Sequence, residues 1–196
     1  MIVNSHNDWD PLEEIIVGHA HHSRIATDIS ARSFSYANFN KEDVEKLEGP
    51  YPQWVIDEAN EDADGLAKAL EDLGVIVHRP KIIDWENVNY DIGQGWNTKG
   101  WYSWCPRDLI LPLGDMLIET PTPVRARYFE TKLYEDIMYE AFEDGALWLQ
   151  APKPNLHDNM YTFEDIEDKA TLLDHEICFD APNIVRVGKD LLYQVS

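Results

Sequence analysis

Apolar positions recur at helical spacing over residues 53–73. Val55, Ile56, Ala59, Ala63, Leu66, Ala67, Leu70 and Leu73 fall on one stripe, which predicts an amphipathic helix. Gly74 stands where a left-handed cap belongs, and Val75-Ile76-Val77 then reads as a strand closed by Pro80. The same order returns downstream. Phe129, Leu133, Ile137, Met138, Ala141 and Phe142 form a second stripe, predicting a helix from about Arg125 to Asp144. Gly145 caps it, and Ala146-Leu147-Trp148-Leu149 is a strand before Pro152.

Between and after these units the period changes to that of strands. Leu109-Ile110-Leu111, the turn Gly114-Asp115 and Met116-Leu117-Ile118 read as a β-hairpin, with Pro112 marking an edge or a bulge. Asn183 to Gly188, Lys189-Asp190 and Leu191-Leu192-Tyr193 repeat the pattern. An acid stands at each mouth, Asp108 at the first and Asp180 at the second. Helix, glycine, strand, proline, loop, acid, hairpin thus occurs twice, at a period of about 71–74 residues. Residues 12–18, with the β-branched run Ile15-Ile16-Val17 read as a buried strand ending at Gly18, look like the strands of a third copy. Such units cannot bury their sheets alone; they stack or close radially. About two and a half of them leave an open edge, and the last residues, Tyr193 to Ser196, stop in or just after a strand, so the chain reads as cut.

Three stretches carry less. His19, His21 and His22 cluster after the first strand. Neutral imidazoles can ligate zinc, but no cysteine or fourth ligand is placed nearby, and polar loop residues are the simpler reading. Residues 23–50 are polar and weakly periodic, with Phe34, Tyr36 and Phe39 available to pack a loop. Trp85, Trp96, Trp101 and Trp104 lie in a glycine-rich stretch, where they either line a ligand pocket or bury a long loop.

Composition narrows the field. The 196 residues are 44% hydrophobic and 27% charged, ordinary for a globular protein, and no apolar run approaches a membrane span. The net charge of −21 repels nucleic-acid phosphates, which argues against non-specific binding to DNA or RNA. A solvated acidic surface accounts for it more simply than a DNA mimic does. The N-terminus lacks the basic start and apolar core of a signal peptide, and the two cysteines form no scaffold pattern. The expected compartment is the cytoplasm.

Five segments occur in one order: NDWDPLEEIIVG at 7–18, PRDLILPLGDMLIE at 106–119, RARYFE at 125–130, APKP at 151–154 and CFDA at 178–181. Together they resemble the N-terminal half of the glycine (arginine:glycine) amidinotransferases and their bacterial relatives, across nearly the whole chain. The resemblance implies an α/β, pentein-type propeller of five ββαβ units, of which 1–196 would be a single domain holding about two and a half, an incomplete propeller. It implies transfer of the amidino group of arginine to an amine such as glycine through an amidino-cysteine, without metal or organic cofactor. Carboxylates suit that chemistry, because a planar guanidinium offers paired N–H donors. By resemblance Asp108 grips the guanidinium and Asp180 orients the catalytic histidine, as the buried acid does in other triads. Read from pattern alone, each is a strand-entry aspartate bonding nearby backbone N–H groups.

The family's catalytic histidine, a second substrate-binding aspartate and its nucleophilic cysteine lie in the C-terminal half. None of His6, His19, His21, His22, His78, His157 or His175 occupies the matching motif, and neither Cys105 nor Cys178 matches the nucleophile. Val124 stands where the family has tryptophan, and Phe179-Asp180-Ala181-Pro182-Asn183 replaces FDAAD. Three expectations follow: half of a split or truncated amidinotransferase, inactive alone and completed by a second polypeptide carrying the missing His and Cys; a catalytically inactive module that binds arginine or a similar cation; or an acidic interaction protein. A homo-oligomer is the other partner expected.

Overall fold

The computed structural model describes residues 1–35, 40–164, 169–172 and 175–194. The elements run β1 (Glu14–Ile16), β2 (Arg24–Ile25), α1 (Ile29–Ser35), α2 (Lys41–Glu45), β3 (Gly49–Pro50), α3 (Gln53–Asp72), β4 (Ile76–His78), β5 (Tyr90–Asp91) and β6 (Asn97–Thr98). They continue with β7 (Ile110–Leu113), β8 (Met116–Glu119), α4 (Glu135–Glu143), β9 (Leu147–Gln150), β10 (Tyr161–Glu164), β11 (Lys169–Leu172), β12 (Ile184–Val187) and β13 (Asp190–Tyr193). The architecture is α/β, and among the described residues the strands form small separate sheets with no closed barrel.

The two helix–glycine–strand units share one construction. α3 ends with Gly74 N donating to Glu71 O at 2.9 Å and Val75 N to Leu70 O at 3.0 Å. α4 ends with Gly145 N donating to Phe142 O and Ala146 N to Ala141 O, both at 3.0 Å. Each is the paired closure that satisfies the last helical carbonyls, and each needs a residue at positive φ, +87° at Gly74 and +104° at Gly145. Each helix then carries the chain back to a parallel pairing. β4 lies beside β1, with Ile15 opposite Val77, and β9 lies beside β8, with Leu117 opposite Trp148.

The units differ in what the helix covers. α4 buries Ile137 and packs Met138 and Ala141 into the main core with Trp85, Ile110, Leu117, Leu133 and Tyr134. It covers the three-stranded sheet β7-β8-β9, in which β7 is the edge that Pro112 requires. α3 stands over a sheet of two strands and buries only Ile56, Asn60 and Ala67, leaving Leu66 and Leu73 exposed. β1 is half-buried for the same reason, which corrects the buried strand expected at residues 15–17; only Val17, just past its end, is buried.

The helix expected from Arg125 to Asp144 is also corrected. Residues 125–127 and 130–134 are 3-10 turns, and the α-helix begins only at Glu135. Arg125, Arg127 and Glu130 are buried here, so charged residues that a surface helix would expose are turned inward. Residues 23–50, unreadable in sequence, form β2, α1, α2 and β3. Tyr36 and Phe39 lie outside the described residues, as does the side chain of Phe34.

Both expected hairpins form. β7 pairs with β8, Leu111 opposite Ile118, and β12 with β13, Val185 opposite Leu192. A small cluster of Leu111, Ala181 and Ile184 packs the two hairpins together, and Arg107 donates to Ile184 O at 3.2 Å. The start of the chain straps their turns. Ser5 and Gly114 exchange backbone hydrogen bonds of 2.8 and 2.7 Å, and Gly188 N donates to His6 O at 2.9 Å.

Candidate active site

The mouths of the two hairpins are built from 3-10 turns, Pro106–Asp108 before β7 and Ala181–Asn183 before β12. The turns show that the two acids are not equivalent. Asp108 is the last residue of its turn, whereas Asp180 precedes its own. Turn for turn, Asn183 is the counterpart of Asp108 and Cys105 the counterpart of Asp180. The acid seen at each hairpin entrance is therefore one type of residue at two different positions. Asn183 is drawn into the second mouth, its Oδ1 accepting from Asp180 N at 3.3 Å.

The packed hairpins nevertheless bring both acids to one place, around a residue the sequence reading left out of the site. Arg127, buried at 3% exposure, donates from Nη1 to Asp108 Oδ2 at 2.7 Å. Its Nε and Nη2 fork onto Glu130 Oε2 and Oε1 at 2.7 and 2.9 Å, and Nη2 also reaches Cys105 O at 3.4 Å. The guanidinium lies 4.8 Å from the centre of the Tyr102 ring. Burial opposes its charge, but Glu130 and Asp108 outweigh burial and hold it firmly protonated. A forked, hydrogen-bonded pair is the geometry that offsets the desolvation of both charges. Glu130 is wholly buried, and burial raises its carboxyl above the ordinary range against the pull of Arg127.

Asp180 sits differently. Burial raises its carboxyl; the charge of Arg127 and the Thr122 hydroxyl oppose the rise, and the charge of Asp108 adds to it. Its Oδ1 is enclosed and has no hydrogen-bond partner. Two carboxylates, Asp108 and Glu130, thus bond one guanidinium, and Asp180 feels its charge.

The thiols beside the mouths are not activated. Burial and the charge of Asp108 push Cys105 up to about 11, and burial with Glu176 and Asp180 pushes Cys178 up to about 12. The histidine cluster is engaged elsewhere. His19 is buried between Ser103 Oγ at 3.0 Å and Lys81 O at 3.3 Å, and burial lowers its pKa. His21 meets Asn60 at 3.3 Å, and His22 meets Asp84 at 3.4 Å. Among the described residues no group of three or more His, Cys, Asp or Glu is placed to hold a metal ion. Of the two readings of the tryptophan stretch, loop burial holds: Trp85, Trp96 and Trp101 are buried. The aromatic that reaches the site is Tyr102, stacked on Trp104 at 5.0 Å.

The chain has counterparts among known proteins. Over all 196 residues the chain is 43% identical to an inosamine-phosphate amidinotransferase of Streptomyces glaucescens, covering 56% of that protein. It is 35% identical over 211 aligned positions to the mitochondrial glycine amidinotransferase of Xenopus laevis, covering 99% of this chain and 49% of that one. Its homologues are amidinotransferases. The solved inosamine-phosphate amidinotransferase of Streptomyces griseus superposes on 97% of this amidinotransferase homologue with a TM-score of 0.86 and 38% identity, over 54% of its own length. That enzyme is a member of the pentein superfamily, and the matched region is its N-terminal half. The chain spans about half the length of the relatives it matches. No family model matches it. No helix among the described residues of this homologue is long and apolar enough to cross a membrane.

Proposed function

We propose that this chain supplies the guanidinium-binding half of an arginine amidinotransferase. Asp108 accepts from the arginine guanidinium with the carboxylate oxygen that Arg127 leaves free, and Asp180 accepts through Oδ1 from the catalytic histidine, fixing its tautomer. A cysteine thiolate attacks the guanidinium carbon, the bond to the ornithine nitrogen breaks, and the histidine gives that nitrogen its proton. The acceptor amine, glycine or a related one, then attacks the amidino-cysteine and the thiolate leaves. The histidine and the nucleophilic cysteine come from outside these 196 residues, on a second polypeptide or a further stretch of chain. The reaction takes no metal or organic cofactor.

In this reading residues 1–196 are one amidinotransferase-like domain, about two and a half of the five ββαβ units of an incomplete propeller, working in the cytoplasm. The shared construction of α3-Gly74-β4 and α4-Gly145-β9 supports the repeat. The observation that carries the function is the meeting of the two hairpin mouths beside the buried Arg127–Glu130 pair, with Asp108 bonded to Arg127 and one oxygen of Asp180 unbonded.

A second reading, a cation-binding module without turnover, is favoured by the two thiols: with values pushed up to about 11 and 12, neither is a thiolate at neutral pH. Ornithine release from arginine plus glycine by the chain alone tests both, alongside calorimetry with arginine. The expected result is no release, with arginine binding that Asp108→Asn abolishes. Release that survives that substitution would overturn the assignment of Asp108, and absence of arginine binding would remove the substrate role from this half.

A further inference from the structure

A cavity of about 460 Å³ opens between the segment after Arg127 and the end of the β8-β9 pair, lined by residues other than those of the acid cluster. Its size suits a small organic molecule. Tyr128, Phe129 and Trp148 give it aromatic walls, Lys132 and Lys153 give it two ammonium groups, and Glu119 and Glu135 give it two carboxylates.

The two lysines are not alike. Lys132 is half-exposed and sits 3.3 Å from Glu135, an ordinary surface pair. Lys153 is largely buried, with its side chain 17% exposed. Its Nζ has three protons to donate, and among the described residues its hydrogen bond is to Tyr128 O at 3.3 Å, with the Tyr128 ring centre 5.4 Å away. The nearest carboxylate, Glu119, stands off at 4.0 Å, its Oε1 accepting from Trp148 Nε1 at 2.9 Å and its Oε2 from Gln150 Nε2 at 3.0 Å. Burial, with the Lys132 charge adding to it, lowers the Lys153 ammonium, and Glu119 and Glu130 only partly oppose this. A desolvated ammonium with spare donors calls for an anion, since a carboxylate would both bond it and restore its charge. The flat walls call for an unsaturated body.

We propose that this cavity binds a small aromatic carboxylate, its anionic group on Lys153 with Lys132 as the second cation and its ring between Tyr128 and Trp148. In a chain of net charge −21 such an anion gains nothing from the overall field, so binding rests on these local donors. The site stands apart from the proposed amidino transfer and does not depend on it.

The test uses the full chain, with benzoate as the probe and sulfate as a control for charge alone. Lysines are acylated sparingly with acetic anhydride near neutral pH and quantified peptide by peptide. Benzoate is expected to slow acylation of Lys153 at least fivefold, while sulfate leaves it unchanged and the exposed Lys46 and Lys68 react as before. Calorimetry should show benzoate binding lost in Lys153→Met, regained in Lys153→Arg and unaffected by Asp108→Asn. An unchanged Lys153 rate at saturating benzoate in the folded chain would overturn the proposal without needing any variant to fold. Equal protection by sulfate would overturn it too, since the walls would then select nothing.

Discussion

The two hairpin mouths hold the same kind of acid in opposite conditions. Asp108 is ion-paired at 2.7 Å to a buried arginine and remains a quarter open to solvent, whereas Asp180 is enclosed with one oxygen unbonded. One carboxylate is stabilised by the fold and the other is tolerated by it. Similar position along a repeat therefore does not give similar chemistry; the partner supplied by another segment decides it. Arg127 sits on the stretch between the hairpins and reaches the first mouth through a hydrogen bond and the second only through its charge.

Removing that arginine is the strongest way to break the contrast. Arg127→Met removes the forked partner of the buried Glu130 and should cost about 3–5 kcal/mol in urea unfolding. A loss under 1 kcal/mol would mean the fork contributes little. The cysteines beside the mouths come next. At pH 8 both should react with iodoacetamide roughly a hundredfold or more slower than a free thiol, Cys178 slower still than Cys105. Rapid alkylation of either in the native chain would contradict the buried, acid-flanked settings described for them.

Substituting the acids themselves sharpens the comparison, because the effects should have opposite signs. Asp108→Asn weakens a charge-assisted bond to Arg127 and should destabilise by about 1.5 kcal/mol. Asp180→Asn removes a desolvated charge and should stabilise the fold at pH 7 by about 1 kcal/mol. The second effect carries a pH signature. A carboxyl raised on folding penalises the native state above its folded pKa, and the penalty fades as pH falls from that value toward the ordinary ~4. The advantage of Asp180→Asn over the parent should thus be constant at neutral pH and vanish in acid. An advantage that grows on acidification would reverse the assignment.

Much of this frame was legible in the chain. Apolar stripes closed by Gly74 and Gly145, and apolar runs turned at Gly114 and Gly188, are local signals, and the elements they predict are present with small shifts at their ends. Asp108 and Asp180 were named from motifs, and the fold does gather them. What did not show was Arg127 with Glu130. A charged pair three residues apart inside an apolar stripe reads as the solvent face of a helix, and only packing turns it inward. The clue present was RARYFE itself, where two arginines and a glutamate interrupt the spacing on which the predicted helix depended. The β10-β11 pair was missed because Tyr161–Glu164 and Lys169–Leu172 are short and have no glycine turn between them.

The strap formed by the first residues has a consequence for the order of folding. Two-residue turns let each hairpin close in microseconds once its residues are together. Ser5 and His6 instead wait for Gly114 and Gly188, made far later in synthesis. At ordinary translation rates that delay is on the order of ten seconds. Ser5 and His6 are therefore made well before their partners and are among the last residues to settle, and closing these long loops belongs to the slow, non-local end of the folding reaction.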